Sequence, residues 1–296
     1  MHAHDGAAVR EHQSRRLLLV IGLTFAVLLV EVAGGIRSHS LALLSDAGHM
    51  LTDLLALVLS LMAVRFAALP ANAVKTYGYQ RLEILTALVN GALLIAVSGF
   101  LFYRSFRRIL APQPIEEATM IGAAVVGLVA NLISLRLLSD HGHNLNIRGA
   151  RLHVLSDALS SGGVVAASIV MALTSWWRLD PLVAAALSVG IAWGAWRLVR
   201  EAIDVLLEAA PAGLSLDEVR QALLALPGVA EVHDLHVWCI TTGLPALSGH
   251  VRLTAGTAPE GILLERINDV LRSRFGITHT TIQIEAAASR EICALH

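Results

Sequence analysis

The sequence predicts an α-helical membrane protein in which six spanning helices are followed by a small α+β domain of order αββαβ. Three observations predict it. The 296 residues are 55% apolar and only 15% charged, with a mean hydropathy of +0.66, whereas soluble domains carry about a quarter charged residues. Six apolar runs each approach or exceed the ~20 residues a helix needs to cross hydrocarbon. From Pro211 onward these runs stop, and short helical and alternating patterns replace them.

Taken in order, residues 1–16 form a polar tail holding His2, His4 and His12, a composition that can gather metal weakly. The apolar runs lie at roughly 17–36, 41–65, 82–106, 117–138, 150–176 and 180–204. Arg15 and Arg16 precede the first run, but it continues to Ile36 and contains Glu31, so a cleaved signal peptide is not expected. The connection Arg37-Ser38-His39-Ser40 is short and makes the first two helices a tight hairpin. Pro112 and Pro114 punctuate the loop after the third run. Asp180-Pro181 starts the sixth, with proline in the first turn, where its missing donor costs little. The boundaries expected are a tail at 1–16, a membrane domain at 17–208 and a C-terminal domain at 209–296.

An even number of spans puts both ends on one side of the bilayer, and basic residues choose the side. Eleven flank the face that holds the termini and five the other. That asymmetry places both termini in the cytoplasm. Arg104, Arg107 and Arg108 lie on the opposite face, where long side chains can snorkel toward headgroups.

In the C-terminal domain, Ser215-Leu216-Asp217-Glu218 reads as an N-cap with an acidic first turn, and Pro227-Gly228 stops that helix. Val229 to Ile240 and Leu244 to Thr254 alternate as paired strands joined through Thr241-Thr242-Gly243. Pro259 to Phe275 has helical periodicity, and Thr278 to Glu285 reads as a third strand. Cys239 and Cys293 sit in no Cys-x-x-Cys pair, so neither a disulfide framework nor a thiolate zinc finger is indicated. A net charge of −1 argues against nucleic acid as a partner.

The chemistry concentrates in two of the apolar runs. His49 and Asp53 form His-x-x-x-Asp in the second run, and His153 and Asp157 repeat it in the fifth. Residues i and i+4 share a helical face, so each pair can address one ion. A lone histidine in a membrane helix is commonly a hydrogen-bonded packing residue. Buried aspartates, however, are costly in hydrocarbon and seldom face lipid. Two identical pairs therefore favour an ion site over packing. With six spans, the second and fifth helices run antiparallel, which sets His49 at the depth of Asp157 and Asp53 at the depth of His153. Two imidazoles and two carboxylates in a tetrahedral set suit Zn²⁺. Mg²⁺ and Ca²⁺ prefer all-oxygen cages, while Cd²⁺, Co²⁺ and Ni²⁺ are not excluded by affinity alone. Asp46, three residues before His49, shares that helical face and is a candidate proton or access residue. No His-Glu-x-x-His is present and the four-ligand set leaves no open position, so an enzyme is not expected.

Several stretches together resemble the cation diffusion facilitator family, over about residues 17 to 286: His49-Met50-Leu51-Thr52-Asp53, Tyr77-Gly78-Tyr79-Gln80-Arg81-Leu82-Glu83, Asn146 through Asp157, Val232-His233-Asp234-Leu235-His236-Val237-Trp238, and His279 through Glu285. They are similar to its bacterial zinc, cobalt and cadmium exporters. The resemblance implies a homodimer in a bacterial inner membrane, with a ferredoxin-like cytoplasmic domain. It implies export of a divalent metal against inward proton flow, with His49, Asp53, His153 and Asp157 as the transport site. The loop from Ala67 to Tyr77 has neither Asp nor His, so the second metal site that some members carry there is not implied. His141 and His143 read as an ordinary solvated loop.

For a metal site in the C-terminal domain, the family pattern ranks His233, His250 and Glu285 first, with His236 and His279 behind them. On an alternating strand His233 and His236 would point to opposite faces and so would not share an ion. Cys239 reads as a small buried residue. A membrane-bound metal sensor, whose cytoplasmic domain reads zinc without moving it, is the alternative function.

Overall fold

Apolar runs broken by short polar turns become six long helices in a computed structural model that describes residues 3–67, 69–137, 145–254 and 260–286. They are α1 (Ala3–Ser38), α2 (Leu41–Ala67), α3 (Leu82–Leu110), α4 (Glu117–Leu137), α5 (Leu145–Thr174) and α6 (Leu179–Leu206). Among the described residues, five stretches are long and apolar enough to cross a membrane: Ile21–Ser38, Leu82–Leu110, Glu117–Arg136, Val154–Thr174 and Leu179–Leu206. The remaining helix, α2, is 27 residues long and carries Asp46, His49 and Asp53. α1 already begins within the segment read as a polar tail, where Ala7, Ala8, Arg10, Glu11 and Gln13 are good helix formers. His2, His141, His143 and Cys293 lie outside the described residues, as do the side chains of His4 and His12.

The chain forms two compact units, Met1–Val58 with Asn90–Arg197, and Leu59–Val89 with Leu198–His296. In the first unit, Val27 and Leu28 of α1 pack with Ala47 and Met50 of α2 and Ala130 of α4. A second cluster joins Leu41, Ala42 and Leu43 to Met120 and Ala124 of α4, Val164 and Met171 of α5 and Ala184 of α6.

The tight hairpin between α1 and α2 turns at His39, whose φ is 59°. Ser40 caps α2 by accepting from the Leu43 amide at 3.1 Å. Asp180 lies in the first turn of α6, yet its carboxylate caps α2. It accepts from the backbone amides of Leu41 at 2.9 Å and Ala42 at 3.0 Å, and from the Ser40 hydroxyl. An anion at a helix N-terminus also meets the positive end of the helix dipole. Asp180 is fully buried, so Asp180→Ala strands three donors and should cost about 3 kcal/mol or more. The readout is a fall in the detergent-solubilised protein's melting temperature, with Asp180→Asn recovering part of it. A melting temperature unchanged in Asp180→Ala would refute this role.

In the second unit, α7 (Leu216–Leu224), β1 (Val229–Thr241), β2 (Leu244–Leu253), α8 (Glu260–Phe275) and β3 (His279–Glu285) follow in the expected αββαβ order. Ser215 caps α7 by accepting from the Glu218 amide. The sheet runs β1-β2-β3, with β1 and β2 antiparallel and β2 and β3 parallel. The parallel pair needs a crossover, which α8 supplies. Val219, Leu223, Val237, Leu247, Val251, Leu263, Ile267 and Leu271 fill the core beneath the sheet.

The pairing of β1 with β2 is interrupted by a bulge. His233 pairs with His250, but His236 pairs with Ser248, so one extra residue is accommodated at Asp234-Leu235. Asp234 takes a φ of 47°. Leu235 turns into the core against Gly249, where any Cβ would stand 2.9 Å from a Leu235 methyl.

Candidate metal centres

The membrane cluster grows from helical spacing. His49 and Asp53, one turn apart on α2, bring Nε2 and Oδ2 to 3.4 Å. Asp157 of α5 places Oδ1 3.8 Å from the same His49 nitrogen. Ligand atoms of the three residues all lie within 4.8 Å of one another. Ligands about 2.1 Å from a tetrahedral zinc stand about 3.4 Å apart, so the spacing fits an ion of that size. His49 and Asp53 are partly buried and Asp157 is buried. His153 belongs to α5, one turn before Asp157 in sequence, and its side chain lies outside the described residues.

The two helices meet antiparallel. As numbers rise from Asp46 to His49 on α2, their partners on α5 fall from Ser160 and Ser161 to Asp157. Asp46 does not join the three-residue cluster. Its two oxygens accept from the Ser160 hydroxyl at 2.7 Å and the Ser161 hydroxyl at 3.1 Å. These serines were not singled out from the sequence, and serine in a membrane helix carries little signal by itself.

The second cluster lies on the sheet of the C-terminal domain, on the face away from its core. His233 and His250 sit opposite each other across the β1–β2 ladder, with ring centroids 5.2 Å apart. Glu285 at the end of β3 reaches both: Oε1 is 2.8 Å from His250 Nδ1, and Oε2 is 3.5 Å from His233 Nε2. The His250 hydrogen bond holds the Glu285 carboxyl below the usual carboxylate range, helped by the charges of His233, His250 and Arg252 and opposed by burial. The group is therefore ionised at neutral pH and has no proton to lose on taking a metal.

The expectation that His233 and His236 occupy opposite faces is corrected by the bulge. The extra residue returns both to the face that carries His250 and Ser248. His236 still stays out of the cluster, because its exposed ring meets Asp234 at 2.8 Å. His279 begins β3, six residues from Glu285 and so roughly 20 Å along the strand. Its ring meets Tyr77 edge-on at 5.7 Å. Cys239 is partly buried and belongs to neither cluster, and burial pushes its thiol up, away from the thiolate a metal needs.

Glu285→Gln should weaken zinc binding at this cluster by about 10–100-fold, measured by calorimetry on the full-length protein with the membrane cluster removed. Unchanged affinity would place the ion elsewhere. Held below its ordinary value, Glu285 also contributes stability at neutral pH that is lost as pH falls through its lowered pKa.

A bundle of long apolar helices holding a His and carboxylate cluster, followed by an α+β domain with a second such cluster, defines a membrane carrier of metal cations. Comparison with known proteins agrees. The family model for the cation efflux transmembrane domain matches residues 17–207, and that for the cation efflux protein cytoplasmic domain matches 211–287. The chain belongs to the cation efflux, or cation diffusion facilitator, family, whose members transport metal cations.

Among its relatives, the metal cation efflux system protein CzcD of Cupriavidus metallidurans is 41% identical over 287 residues, 97% of this chain and 90% of its own length. The zinc transporter ZitB of Shigella flexneri is 39% identical over 96% of this chain and 91% of its own. A cadmium, cobalt and zinc/H(+)-K(+) antiporter of Bacillus subtilis is 36% identical over 97% and 92%.

Proposed function

We propose that this metal cation transporter is a proton-coupled antiporter that exports Zn²⁺, with Cd²⁺ and Co²⁺ as further substrates, through His49, Asp53, His153 and Asp157. The observation that carries the proposal is the convergence of His49, Asp53 and Asp157 from two antiparallel helices. His153 takes the fourth position by the repeat of the i, i+4 spacing. Metal ligands must be deprotonated, so zinc binding releases protons and protons arriving from the other side release zinc. With four ligands the ion is fully coordinated, and release requires this competition together with a rocking of the helices. The names of the zinc transporter and antiporter relatives support the same substrate and coupling.

On this reading, residues 17–208 form the membrane domain and 209–296 the cytoplasmic domain of a homodimer in a bacterial inner membrane. The excess of basic residues on the face holding the termini supports cytoplasmic ends. The cluster of His233, His250 and Glu285 supports an added role for that domain, reading cytoplasmic zinc. Among the described residues His236 and His279 lie outside the second cluster, and Asp46 stands one turn from the first as a proton or access residue.

The test is zinc uptake into proteoliposomes under an imposed pH gradient, with Cd²⁺, Co²⁺ and Ni²⁺ in competition. Gradient-driven accumulation is the expected result. Stoichiometric binding with no flux would make the protein a sensor instead.

A further inference from the structure

One helical turn from the contact between His49 and Asp157, four helices meet in a second polar layer. Asp46 of α2 is held by Ser160 and Ser161 of α5, and Asn131 of α4 donates to the Ser161 hydroxyl at 3.3 Å. Glu31 of α1 belongs to the same layer. Val27 and Leu28, one turn before it, pack on Ala47 and Met50 of α2. The hairpin makes α1 and α2 antiparallel, which brings Glu31 to the level of Asp46. Its carboxylate lies against the backbone of α4, since a Cβ at Gly127 would run into Oε1. Gly127 and Asn131 are one turn apart on α4.

Glu31 is fully buried, and among the described residues neither of its oxygens has a hydrogen-bond partner. The charged groups around it are Asp46 and Asp157, with His49 beside Asp46. From α4 come Gly127, against the carboxylate, and Asn131. A naked carboxylate in such a place is costly, and a bound proton removes that cost. A divalent ion one turn away reverses the balance, because opposite charges attract strongly at low dielectric.

We propose that Glu31 is a proton-exchange site distinct from the metal ligands: it holds a proton while the metal site is empty and releases it as the divalent cation binds. The proton leaves to the water of whichever side the site faces, and returns when the metal departs on the other. The inference rests on His49, Asp53 and Asp157 being the transport site. The coupling is reciprocal, so proton binding at Glu31 weakens metal binding by the factor that metal binding weakens proton binding.

Glu31→Gln keeps the side chain's volume and has no exchangeable proton. In proteoliposomes it should retain zinc-for-zinc exchange while gradient-driven zinc accumulation, and the accompanying internal pH change, fall about tenfold. Wild-type accumulation in Glu31→Gln would overturn the proposal. If the Gln variant yields no folded protein, Glu31→Asp decides: it keeps a proton in a displaced position, so the pH profile of transport should shift, and an unshifted profile overturns the proposal. Asp157→Ala serves as the separate control. If that variant still exchanges zinc, the transport-site reading has failed, whatever Glu31 does.

Discussion

Asp157→Ala is expected to reduce zinc transport by more than about 100-fold, since replacing even outer-shell partners of a metal costs 10–100-fold. Asp157 supplies the α5 half of the described membrane cluster. Its Oδ1 lies 3.8 Å from the His49 nitrogen that also faces Asp53. Without it, an ion held by α2 alone has lost the contact that ties its presence to the relative position of two helices. The protein should still fold, because removing one carboxylate relieves the like-charge repulsion among Asp157, Asp46 and Glu31. Size-exclusion behaviour in detergent checks that point. Transport is read as zinc uptake by proteoliposomes under a pH gradient. Uptake at the wild-type rate by either Asp157→Ala or Asp53→Ala would remove the cluster from the transport path.

His49→Asp is expected to keep transport but change its selectivity. Imidazole favours zinc and its neighbours, whereas carboxylates suit harder or less fastidious ions. In the proposed four-ligand site, trading one of two imidazoles for a third carboxylate should lower the preference for zinc over manganese by about tenfold, equivalent to ~1.4 kcal/mol. The measurement is competitive uptake of the ions at equal concentration. An unchanged ranking would mean that the ring at position 49 does not choose the ion. The two substitutions therefore separate having a site from tuning it.

Much of this architecture is legible in the sequence because hydrophobic patterning is a local property. The apolar runs end where the helices end, within a few residues, and the αββαβ order follows from alternation and capping in a stretch of fewer than a hundred residues. The pairing of His49 with Asp53 is legible too, since i, i+4 spacing sets distance inside one helix. That His49 meets Asp157 follows only once the antiparallel course of the two helices is added.

Other features depend on contacts that local pattern does not encode. Asp180 has the sequence context of a cap for its own helix, yet it caps α2, 139 residues away. Glu31 stood out as an acidic residue in an apolar run. Its place beside Asp46 required the packing of α1 against α2 and α4. In β1, strict alternation sends His233 and His236 to opposite faces. The bulge at Asp234-Leu235 reverses that, and the competing hydrogen bond to Asp234 still removes His236 from the cluster.

By itself, then, the sequence determined the class of protein, the order of its elements, and the candidates for holding a metal. These are set by side-chain chemistry and by periodicity within single elements. Only the tertiary structure decided which carboxylates face which imidazoles across elements, and which polar residue serves a helix other than its own. It also brought Glu31 into the layer beside the metal cluster. Register and helix packing are collective properties of residues far apart in the chain, and one inserted residue in a strand is enough to change them.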